Sequence, residues 1–160
     1  EITTRLVGSE MCIRDSSRLT LQSAFKEVDL VLEKGIKGIT DQIATPGLVN
    51  IDFADIRTII GYKGNAYMGI GRGKGEHRNE VAVKEAIGNP LTETMIQNAK
   101  GVIVNIAGSG EMPLDEINAI MTVIGDRVDN PEANIIFGTI IDDSLQDEII
   151  ITVIATGIGM

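Results

Sequence analysis

The chain has 160 residues, 43% of them hydrophobic and 23% charged, an ordinary balance for a soluble globular protein and enough length for one domain with a proper core. A net charge of −9 argues against a nucleic-acid surface, which needs clustered Lys and Arg to neutralise phosphates. Aromatics make up 3% and Trp is absent, so the core must be aliphatic; the single cysteine, Cys12, excludes an internal disulfide and fits a reducing, cytoplasmic setting, and no apolar run is long enough for a membrane span.

Within the first sixteen residues, EITTRLVGSEMCIRDS, the run GSEMCIRDS resembles a translated adaptor or read-end artefact. Residues 1–16 are therefore expected to be foreign, and Cys12 receives no chemical role. From Ser17 to about Ile43 the apolar residues Leu21, Phe25, Val28, Val31, Leu32, Ile36 and Ile39 recur at steps of three and four, a helical spacing. A helix of that length is a rod of about 40 Å. Gly35 and Gly38 weaken it, which suggests close packing against another element at that point.

Pro46 stops the rod, and the loop from Thr45 delivers the chain to Asn50-Ile51-Asp52-Phe53-Ala54-Asp55. Asp52 reads as an N-cap, with Phe53, Ile56 and Ile60 as the apolar stripe of a helix from Phe53 to Ile60 and Asp55 in its first turn, where the helix dipole favours a negative charge. A short strand is expected over Ala66–Gly71, then a turn at Arg72–Gly75 and an amphipathic helix over Glu76–Ile87 with Val81, Ala82, Ala86 and Ile87 inward. A brief helix near Leu91–Asn98 and a buried β-branched strand at Gly101–Ala107 follow. Pro113 opens a helix to Arg127 whose apolar face is Leu114, Ile117, Ile120, Met121 and Ile124. Strands at Ala133–Ile141 and Glu148–Thr156 flank an acidic turn, Asp142–Asp147. Strands interleaved with helices imply an α/β sandwich.

Few groups carry chemistry. Phe25 and Asp29 lie one helical turn apart, so the ring and the carboxylate share a face. In outline that is a guanine-reading pair, the ring stacking on the base and the two oxygens accepting from its adjacent N–H donors. The chain supplies neither a second wall for the base nor a phosphate cradle. Gly71–Glu76, GRGKGE, lacks P-loop spacing and reads as tight-turn glycines. His77 is the sole histidine and has no second His or Cys nearby, so no metal site is expected. No serine nucleophile elbow occurs, and methionines such as Met68, Met95 and Met121 read as packing.

The stretch IATPGLVNIDFADIRTII (Ile43 to Ile60) closely resembles the FtsZ family of tubulin-like GTPases of bacterial cell division. Further blocks in the same order carry the likeness from about Ser23 to Ile158: SAFKEVDLVLEKGIKGI, GNAYMGIG, HRNEVAVKEAI, GVIVNIAG and NIIFGTIIDDSLQDEIIITVIATGI. The resemblance implies an α/β fold (an α+β two-layer sandwich) in which a long N-terminal helix leads into a mixed, mostly four-stranded sheet covered by helices. It divides the chain into a central helix (17–44), a hydrolysis-activating loop (45–52) and a C-terminal domain (53–158). No GGGTGTG-like run occurs in the 160 residues, so the family's GTP-binding domain is expected to lie outside them.

What the resemblance implies for function is equally specific. Asp55, Asp52 and Asn50 would complete the GTPase site of a neighbouring subunit, Asp55 being favoured for water activation, with Arg57 pairing an acidic group at the contact. Phe25 and Asp29 would contact guanine. GTP or GDP, with Mg2+ accompanying the nucleotide, would be bound by the complete protein and not by this piece alone. The partners would be further copies in a head-to-tail polymer and membrane-tethering proteins, in the cytoplasm at the mid-cell division ring. An alternative class is a non-enzymatic assembly or small-effector-binding module with an oligomerisation helix. Either reading expects an exposed apolar stripe on the long helix.

Overall fold

In the computed structural model, which describes residues 20–45, 47, 49–88, 96–110 and 112–159, Thr20 caps the first helix by accepting from the Ser23 amide at 3.2 Å. Helix α1 runs Leu21–Ala44, about 36 Å at 1.5 Å per residue. It ends where the Thr45 amide donates to the Asp41 carbonyl at 2.8 Å. The expected start at Ser17 lies outside the described residues. Leu21 and Phe25, 77% and 62% exposed, carry the open stripe that the sequence suggests. The side chains of Val28, Val31 and Leu32 lie outside the described residues.

Helix α2 is Phe53–Ile60, β1 is Asn65–Lys74 and α3 is Arg78–Ile87. Strand β2, Gly101–Gly108, leads through α4, Leu114–Val128, to β3, Asn134–Ile141. A 3-10 turn at Asp143–Leu145 then precedes β4, Glu148–Ile158. The four strands form one mixed sheet in the order β1-β4-β2-β3. Strand β4 is antiparallel to both neighbours, while β2 and β3 are parallel, joined by the α4 crossover.

Alternation along the strands separates two faces. Val102, Val104 and Ile106 of β2, with Ile149, Ile151 and Val153 of β4, meet Ala82, Ala86, Ile117, Ile120 and Ile124 from α3 and α4 in the main aliphatic core. Ile103, on the opposite face of β2, joins Ile51, Ile56 and Ile59 in a smaller cluster under α2. Helix α1 lies on that second face through its glycines. Gly35 has room only for a hydrogen against the Met68 thioether, and the Asn105 side-chain amide donates to the Gly38 carbonyl at 2.8 Å. The fold class is the expected one, and the close packing expected at Gly35 and Gly38 is seen at both.

Three local expectations change. Strand β1 does not stop at Gly71; it runs on through Lys74, which pairs with Glu148 of β4. Its glycines are there for the neighbouring helix, since a Cβ at Gly69, Gly71 or Gly73 would run into the backbone carbonyl of Ala86, Ala82 or Arg78 respectively. Two strand residues advance about 6.6 Å and four helical residues about 6 Å, so one row of glycines tracks one row of carbonyls. Only Gly75, at φ +84°, serves a turn. On α3 itself Val81 is exposed and Val83 buried, because the helix turns its small Ala82–Ala86 row to those glycines.

Likewise Leu114 is exposed and α4 buries Ile117, Ile120, Ile124 and Val128 instead. The helix expected near Leu91–Asn98 lies mostly outside the described residues. Arg78 ties α3 to α4 through Nε and Nη2, 3.2 and 2.9 Å from Glu116 Oε2. At the β1 edge the Arg72 amide donates to Glu85 Oε2 at 2.8 Å.

Candidate functional site

The loop between α1 and α2 is built from its backbone contacts outward. The Val49 amide donates to the Thr139 hydroxyl and the Thr139 amide donates to the Val49 carbonyl, both at 2.9 Å. Gly47 passes so close to the Thr139 carbonyl that a side chain there would strike it. Asn50 Oδ1 accepts from the Gly47 amide at 2.9 Å, which closes the turn. Ile51 is then buried with Ile56, Ile59 and Ile103, while its neighbours Asn50 and Asp52 are exposed. One buried residue between two exposed polar ones is the alternation of an extended segment with one face held down.

Asp52 caps α2 as the sequence suggests. Its Oδ1 accepts from the Ala54 amide at 3.3 Å, and its carbonyl accepts from the Asp55 and Ile56 amides at 3.1 and 3.2 Å. Asp55 sits in the first turn, exposed, and its carboxylate has no hydrogen bond or ion pair with the described residues. The stripe of α2 differs from expectation. Ile56 and Ile59 are buried, whereas Phe53, 62% exposed, and Ile60 face solvent. Ile51 from the loop completes the small core and leaves Phe53 to the surface beside the acidic groups. Arg57 is exposed on the same helix and makes no ion pair within the described residues. At the far end of α2 the Thr156 hydroxyl donates to the Ile59 carbonyl at 2.6 Å.

Asn50, Asp52 and Asp55 are thus brought together on one exposed segment. Phe25 and Asp29 are exposed near the other end of α1. From position 25 to the helix end at 44 is about 28 Å at 1.5 Å per residue, so the structure does not unite the two sets within one copy. Among the described residues no three His, Cys, Asp or Glu side chains are placed to hold a metal ion. Phosphate-linked Mg2+ takes one or two carboxylates besides the phosphates and water, so Asp52 and Asp55 match that donor type, though not a self-sufficient site. Thr139 and Thr156, which fix the loop and α2, escape a reading of charged and aromatic groups. The signal is a hydroxyl inside an otherwise apolar strand, one in IIFGTII and two, Thr152 and Thr156, in TVIATG.

The model of the FtsZ family C-terminal domain matches residues 64–159. The chain belongs to the FtsZ family. A solved point mutant of FtsZ from M. jannaschii superposes with a TM-score of 0.81 at 31% identity, covering 94% of this chain and 45% of that one. A structure described as an empty FtsZ dimer from the same organism gives 0.80 at 32% identity, with coverage of 93% and 43%. TubZ from Bacillus thuringiensis serovar israelensis, solved as GDP-form protofilaments, shares the fold at 14% identity and a TM-score of 0.68 over 95% of this chain and 40% of that one. The chain spans less than half the length of the FtsZ structures that it matches. Among the described residues no helix is long and apolar enough to cross a membrane.

Proposed function

We propose that this chain is the central helix, acidic loop and C-terminal domain of an FtsZ-type GTPase that assembles head to tail, and that it supplies Asp55, Asp52 and Asn50 to a nucleotide held by the next subunit. The observation that carries this reading is the separation along α1. Phe25 stands about 28 Å from the helix end where the loop begins, and Asp29 about 22 Å, so a nucleotide stacked on one end of the helix is beyond reach of the carboxylates at the other. A second copy placed end to end removes the difficulty, bringing one copy's loop to the other's base-contacting end. That a solved FtsZ relative is described as a dimer favours self-association here.

The chemistry fits the groups available. GTP hydrolysis is mainly positioning plus electrostatics around an attacking water. Asp52 is engaged in capping and Asn50 in closing the turn on Gly47. Asp55, exposed and without a partner among the described residues, is left to orient and polarise that water. Two carboxylates beside a triphosphate repel it, so a cation such as Mg2+ or a basic group such as Arg57 offsets the charge. By the same reading the complete protein works in the cytoplasm at the division ring with membrane-tethering partners, while this piece alone is inactive. The test mixes the chain in excess with intact FtsZ-family subunits and GTP and follows sedimentation. Loss of polymer is expected, because the chain competes with intact subunits by offering its acidic-loop surface to their nucleotide ends; unchanged polymer counts against the proposal.

A further inference from the structure

The acidic loop hangs on a residue 90 positions away in sequence. Thr139 lies in the edge strand β3, is 2% exposed, and meets the loop three times: its hydroxyl accepts from the Val49 amide, its amide donates to the Val49 carbonyl, and its carbonyl abuts Gly47. Asn50 and Asp52 come one and three residues after Val49, and Asp52 sets the first turn that carries Asp55. Between Val49 and the carboxylates only Ile51 is buried, so a slip at Val49 reaches Asn50 directly and is passed to Asp52 across that one apolar anchor. We propose that Thr139 is a positioning residue for hydrolysis, clamping Val49 to β3 so that Asn50, Asp52 and Asp55 project in one fixed register. The inference rests on the reading of the loop given above, and adds that the C-terminal sheet sets the loop's geometry.

The clamp has two independent parts, so two substitutions address it. Thr139→Val keeps the shape and removes the hydroxyl, leaving the Val49 amide without its side-chain acceptor. Gly47→Ala changes no residue of β3 and pushes the loop off the Thr139 carbonyl. Both variants, with Thr139→Ser and Asp55→Ala, are made in an intact subunit carrying this sequence. Phosphate release per polymerised subunit, GTP affinity and polymer mass are measured for each. Displacing a catalytic group by about 1 Å costs up to a hundredfold in rate, so Thr139→Val and Gly47→Ala are expected to slow phosphate release about ten- to a hundredfold. GTP affinity and polymer mass stay near the parent's, and Thr139→Ser recovers most of the turnover.

A merely structural role for Thr139 would lower folding stability and polymer mass with no selective loss of turnover. Unchanged turnover in Thr139→Val, with Asp55→Ala inactive, overturns the clamp and leaves the proposed function standing. Full turnover in Asp55→Ala removes the proposed function itself. Should Thr139→Val fail to fold, Gly47→Ala decides by the same readings.

Discussion

The Thr156 hydroxyl donates to the Ile59 carbonyl at 2.6 Å, so the last turn of α2 is tied to β4 by one buried hydrogen bond. Carbonyls in a helix's last turn have no intrahelical partner. Thr156→Val removes this donor while keeping the shape. It is expected to cost about 1–2 kcal/mol in denaturant unfolding, with Thr156→Ser closer to the parent.

The two acidic residues should separate by what they lose. Asp52→Ala removes a cap and is expected to cost about 1 kcal/mol of stability. Asp55→Ala touches no partner within the described residues, so its stability cost should be a few tenths of a kcal/mol. In an intact subunit Asp55→Ala should abolish GTP turnover with GTP affinity nearly unchanged. Loss of affinity instead would contradict the water-activating role.

Glycine substitutions should divide just as sharply. At Gly71 a Cβ collides with the Ala82 carbonyl and crowds the Ala86 amide, both main-chain groups that no rotamer change can move aside. Gly71→Ala is expected to cost about 3 kcal/mol or more, read as a fall in the denaturation midpoint. Gly125, inside α4, has nothing within 4 Å of the place a methyl would take, so Gly125→Ala should stabilise by about 0.5–1 kcal/mol.

Alkaline pH offers a test through Tyr67. Its hydroxyl donates to the Ala86 carbonyl at 2.6 Å, and burial pushes the phenol up to about 12 from 10. The folded chain therefore holds its proton where the unfolded chain releases it. Stability from this group is complete below pH 10 and is lost as pH rises from 10 towards 12, by at most about 2.7 kcal/mol. Tyr67→Phe should flatten that part of a stability–pH curve, at a cost of about 1 kcal/mol near neutrality.

Much of the architecture is legible in the sequence because β-branched runs and helical spacings are local signals. Gly101–Ala107 and the Pro113 helix come through within a residue or so. The Asp52 cap is legible for the same reason. Residues whose role depends on a distant partner are not. The glycines at 71 and 73 look like a turn until Ala82 and Arg78 are laid over them, and Val81 looks inward until the Ala82–Ala86 row claims that side. Phe53 has the spacing of a core residue, yet Ile51 and Ile59 fill that core instead. Thr139 carries no charge or ring to draw notice, and its importance is visible only where the loop touches β3.

The Glu85 carboxylate on the Arg72 amide and the Val49 backbone on Thr139 share a consequence for how copies meet. Each sits on an outer rim of the sheet, at β1 and at β3, where a bare strand invites a stranger to zip alongside. Both rims carry a stopper. Sideways zipping of a further strand onto either rim is thereby discouraged.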